Sequence, residues 1–133
     1  MYSWFWDGMQ HASLENMPKV YQDEYLSINH NPAGLRNMHD KDAKRMQSFK
    51  DWKDEDIRSI QAPALIIIGD QDVVRPEHAV EMYRLLPHSR LAMFPGSHGS
   101  YMGEIMSPDP GSKVPELVVA VLEEYLATPL PEP

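Results

Sequence analysis

The pattern of apolar and polar positions changes near Ile60. Before it, hydrophobic residues are scattered through a polar, methionine-rich stretch of helices and loops. After it, strand-like and helix-like patterns alternate. Ala64-Leu-Ile-Ile-Ile68 is apolar at every position rather than at every second one. Such a run suits a parallel strand covered on both faces. Gly69 ends it, and Asp70 to Arg75 form the next loop. Pro76 and Glu77 then open a helix in which Ala79, Val80, Tyr83 and Leu86 share one face. Pro87-His-Ser89 breaks that helix, Arg90 to Phe94 reads as a second strand, and Pro95-Gly96 stops it. After a loop that runs to Gly111, Val114, Leu117, Val118, Val121, Leu122, Tyr125 and Leu126 recur at helical spacing. A stripe of that width must dock on a sheet or another helix.

The first part is less regular. Asn16 is placed to cap a helix with Pro18 in its first turn, followed by Met17, Val20, Tyr21 and Tyr25 and ended by Asn31-Pro32. A second helix is expected from about Lys41 to Trp52, with Met46, Phe49 and Trp52 down one side and its charges forming a solvated face. Residues 1–56 therefore read as a helical segment, 57–127 as an α/β segment, and 128–133 as a disordered tail. Strand, helix, strand, helix specifies the α/β class, with a short parallel sheet flanked by helices and a right-handed crossover.

Composition narrows the partners. The chain has 133 residues, the size of one domain, and 12 lysines and arginines against 20 acids give a net charge of −8. That balance argues against nucleic acid or an anionic membrane as partner, since both reward a basic surface. The absence of cysteine excludes disulfides, thiolate metal sites and cysteine nucleophiles. No metal or cofactor is expected, because the six histidines show no ligand spacing. The aromatic start lacks a basic n-region, and the longest aliphatic run is too short to span a bilayer, so a soluble cytoplasmic protein is expected. The three tryptophans and the methionines read as core, with a pocket for a small apolar ligand as the alternative.

Parallel strands place the loops at their C-terminal ends side by side, at the edge where open α/β sheets hold ligands. The first loop offers Asp70 and Asp72, the second His98. An aspartate bonded to one imidazole nitrogen fixes the tautomer and stabilises the imidazolium, leaving the other nitrogen as a general base. The same spacing also allows a plainer use, in which an aspartate caps the following helix and His98 satisfies loop carbonyls.

The stretch Ile57-Arg-Ser-Ile-Gln-Ala-Pro-Ala-Leu-Ile-Ile-Ile-Gly-Asp-Gln-Asp-Val-Val-Arg-Pro-Glu-His78, followed by strand Leu91 to Phe94 and by Pro95-Gly-Ser-His-Gly99, resembles the late part of an α/β-hydrolase. The resemblance spans residues 57–126 and implies that Asp72 is the triad acid and His98 the triad histidine. The preceding residues resemble the helical cap of that family in texture alone. One departure is plain: the residues two places after the seven glycines are Gln10, Arg36, Gln71, His98, Tyr101, Ile105 and Lys113, so no Gly-x-Ser-x-Gly elbow is present. The resemblance thus implies a truncated relative of the serine esterases, with acid and histidine but no nucleophile, inactive alone. The alternative is a non-catalytic protein that self-associates or binds a small apolar molecule. A two-stranded sheet with an all-apolar strand does not stand alone in water, so a homodimer or a complementing protein chain is expected.

Overall fold

The computed structural model describes residues 1–107, 109 and 111–128. The tail expected from residue 128 onward lies, beyond Thr128, outside the described residues. The chain folds as two units, Met1–Asp51 and one that begins at Trp52. The division falls between Asp51 and Trp52 rather than after residue 56, because the short helix Asp54–Arg58 packs against a helix of the second unit.

The first unit holds three helices, α1 (Ser3–Gln10), α2 (Lys19–Asn29) and α3 (Pro32–Gln47), with a 3-10 turn at Leu14–Asn16. Asn16 sits in that turn instead of capping α2, whose N-cap position is taken by Pro18. The turn is fastened to α2 by Gln22, whose Nε2 donates to the carbonyls of Leu14 (3.1 Å) and Met17 (2.9 Å). Asn31-Pro32 is a start as well as a stop: the Asn31 side chain accepts the Gly34 N–H at 3.0 Å, and Pro32 occupies the first turn, where its missing N–H costs nothing. The helix expected from Lys41 therefore begins nine residues earlier. It also ends earlier, at Gln47, where the Ser48 hydroxyl donates to the Lys44 carbonyl at 2.8 Å. Phe49 and Trp52 thus lie beyond it, and Phe49 stacks on Trp6 with ring centroids 5.8 Å apart. α1 carries Trp4, Phe5 and Trp6 in succession, so no helical period announces it; Gln47 Nε2 ties it to α3 through the Met9 carbonyl at 3.1 Å. Leu35 is the buried hydrophobic residue of this unit among the described residues, and Trp4 and Trp52 are exposed, against the expectation that the tryptophans form core.

The second unit contains α4 (Asp54–Arg58), β1 (Ala64–Gly69), α5 (Pro76–Leu85), β2 (Ser89–Phe94) and α6 (Val114–Ala127), with a 3-10 turn at Ser100–Met102. β1 and β2 pair in parallel, from Ala64 opposite Ser89 to Gly69 opposite Phe94. α5 packs on both strands, as a crossover helix must, and α6 packs on the 3-10 turn. The class is α/β, as expected from the alternation of patterns. Among the described residues the unit's buried hydrophobic residues are Ile68, Ala79, Leu86, Tyr101 and Val118. On α6, Val118 is 2% exposed, whereas Leu117 and Leu126 of the expected stripe face solvent. β1 was expected to be covered on both faces, yet Ala64 to Ile67 are half-buried and only Ile68 and Gly69 are buried. The described core side chains, from β1, α5 and its C-cap Leu86, the 3-10 turn and α6, leave most of this all-apolar strand half-buried.

Candidate functional site

The two loops that leave the C-terminal ends of β1 and β2 run beside each other. Backbone bonds extend the ladder past the sheet, with Asp70 N–H donating to Phe94 C=O at 2.9 Å and Gln71 N–H donating to Gly96 C=O at 3.0 Å. Gly69 permits this approach. A Cβ there would lie 2.2 Å from the Gly96 carbonyl oxygen, a separation that no side chain tolerates. Gly96 adopts φ 137°, in the region reserved for glycine.

His98 is thereby delivered to Asp72. His98 Nδ1 and Asp72 Oδ1 are 2.9 Å apart. Since an ionised carboxylate only accepts, Nδ1 carries the proton and Nε2 keeps its lone pair in the neutral ring. The Asp72 side chain is 3% exposed and that of His98 is 65% exposed, so the carboxyl group is held inside and the imidazole is presented outside. Asp72 Oδ1 also accepts the Val74 N–H at 2.9 Å, which holds the carboxylate in place from its own loop. Neither aspartate caps α5, whose N-cap residue is Arg75.

Asp70, the other candidate acid, turns away from the imidazole and accepts the Gly96 N–H at 2.9 Å. Of the two acids offered by the first loop, the structure therefore brings Asp72 to His98 and assigns Asp70 to the loop itself. Ser100, two residues after His98, is not set up as a nucleophile by this geometry: its hydroxyl is buried and donates to the Ser97 carbonyl at 2.9 Å. Among the described residues there is no group of three or more metal-ligating side chains, and no helix is long and apolar enough to cross a membrane.

Sequence reasoning overlooked Tyr101. It is buried beneath the loop and its hydroxyl donates to the Ile67 carbonyl at 3.3 Å. Burial, and then the negative charge of Asp72, push its ionisation above the ordinary tyrosine range. The folded state thus disfavours the phenolate, and the associated stability is complete below about pH 10 and lost as pH rises through the raised value. In urea titrations above pH 9, Tyr101→Phe is expected to lose stability less steeply than the wild type. An identical alkaline slope in both proteins would show that Tyr101 does not ionise against the fold.

Comparison with known proteins adds no relative. The chain matches no family model, no curated protein and no solved structure.

Proposed function

We propose that the unit beginning at Trp52 is the acid-and-histidine part of an α/β-hydrolase-like active site, acting on an ester, amide or similar bond. The observation that carries this reading is the 2.9 Å bond between buried Asp72 and exposed His98 on adjacent loops at the C-terminal edge of a parallel sheet. In this reading Asp72 fixes the tautomer and stabilises the imidazolium, and His98 Nε2 takes a proton from the attacking group. No Gly-x-Ser-x-Gly elbow is present in the 133 residues, so in this reading the nucleophile is supplied from outside them or has been lost. These 133 residues are therefore expected to be inactive as a serine-type covalent catalyst by themselves.

The half-exposed strand β1 supports the need for a partner. Among the described residues it pairs with β2 along one edge, in a sheet of two strands, and its other edge offers N–H and C=O groups at alternate residues. A second copy or a complementing chain that adds a strand there would cover the apolar residues that α5 leaves half-buried. A non-catalytic role in assembly, or in holding a small apolar molecule, is the second reading. The exposure of Met102, Ile105 and Met106 just beyond His98 favours it.

Intact-mass measurement after incubation with a serine-reactive fluorophosphonate tests the proposal. The expected result is an unchanged mass for the isolated protein. A stoichiometric adduct, abolished in His98→Ala and mapped to Ser97 or Ser100, would overturn the claim that the nucleophile lies elsewhere.

A further inference from the structure

Gly69-Asp-Gln-Asp72 contains two acids, and the proposed chemistry uses one. An exposed aspartate on a turn is ordinarily a solvated charge. Asp70 is exposed but not idle, because its Oδ1 accepts the Gly96 N–H at 2.9 Å, while the carbonyl of the same Gly96 accepts the Gln71 N–H at 3.0 Å. Gly96 is thus gripped on both sides by two consecutive residues of the first loop. It needs that grip: at φ 137° a glycine has wide conformational freedom, and the chain direction it sets determines where His98, two residues on, will point. The spacing is regular, since Asp70 to Gly96 and Asp72 to His98 are both separated by 26 positions. The two loops therefore continue side by side beyond the strands, joined first by Asp70 and then by Asp72.

We infer that Asp70 is a positioning residue, which fixes Gly96 and thereby aims the His98 imidazole at Asp72. Its relevance to chemistry rests on the function proposed above, but its effect on the imidazole is measurable without any reaction. An aspartate-to-alanine change removes the acceptor, whereas asparagine keeps an Oδ1 that accepts the same N–H.

The test compares Asp70→Ala and Asp70→Asn with the wild type by nitrogen-proton NMR of the imidazole rings, together with hydrolysis of a simple aryl ester. In the wild type the His98 ring is expected as the Nδ1–H tautomer with a slowly exchanging proton. In Asp70→Ala that proton is lost to rapid exchange and His98-dependent ester hydrolysis falls at least tenfold, while Asp70→Asn keeps both. An unaltered Nδ1–H signal in Asp70→Ala, or equal loss in Asp70→Asn, would overturn the inference. Protection of the Gly96 amide against hydrogen exchange in the wild type gives a check that needs no variant, and exchange at the rate of an unstructured chain would also overturn it. Ester hydrolysis independent of His98 would defeat the proposed function while leaving the imidazole signal to decide on Asp70.

Discussion

Gly69→Ala is expected to lower the melting temperature by roughly 12–24 °C and to part His98 from Asp72. The added methyl would stand 2.2 Å from the Gly96 oxygen and 2.9 Å from both the Gly96 carbonyl carbon and the Ser97 oxygen. These are backbone atoms, which cannot swing aside as the end of a long side chain would. The loop must retreat, and the bonds from Gln71 N–H to Gly96 and from Gly96 N–H to Asp70 stretch or break. A cost of about 3 kcal/mol, at the upper end of ordinary overpacking, corresponds to the stated shift for a unit of this size. Gly8→Ala in α1 is the control: nothing lies within 4 Å of a Cβ there, and alanine favours the helix by about 1 kcal/mol. Thermal unfolding followed by circular dichroism distinguishes the two. Equal melting temperatures for wild type and Gly69→Ala would refute the close approach of the two loops.

The second unit was largely legible because its signals are local and strong. An unbroken aliphatic run, Pro76 at a helix start and a seven-residue apolar repeat each specify one element without help from distant residues. The parallel pairing followed from alternation, and the meeting of the two loops followed from the pairing. Spacing alone left Asp70 and Asp72 as equals. Only the geometry separates them, because the choice depends on a one-residue advance of the second loop around Gly96. Tyr101 gave no signal, since its place under the loop comes from the 3-10 turn that follows His98.

The first unit was read less well, for two physical reasons. Asn31-Pro32 is compatible with a helix end and with a helix start, and the structure uses it as the junction between α2 and α3. The aromatic residues of α1 are consecutive, so what orders them is pairing with Phe49 and the tether from Gln47 rather than an amphipathic face. The limited burial of β1 and α6 was equally hidden. A pattern states which residues are apolar, and not how much of that surface the rest of the chain can cover.

Hydrolysis of an aryl ester by the isolated protein tests whether Asp72 and His98 act as the proposed chemical pair. An activated ester needs no covalent serine, so an oriented imidazole can assist the attack of water on it as a general base. General-base assistance is worth about 10²–10⁴-fold, and all of it should pass through His98 Nε2. Asp72→Asn should keep both hydrogen bonds at Oδ1 while removing the charge that stabilises the imidazolium. That loss amounts to about tenfold in rate, the difference between a charged and a neutral hydrogen bond. The decisive measurement is therefore the ester hydrolysis rate of the wild type, Asp72→Asn and His98→Ala under identical conditions. The expected result is a wild-type rate above buffer, a roughly tenfold lower rate for Asp72→Asn, and the buffer rate for His98→Ala. Equal rates in all three proteins would contradict it and leave the 2.9 Å bond as a fastening between two loops.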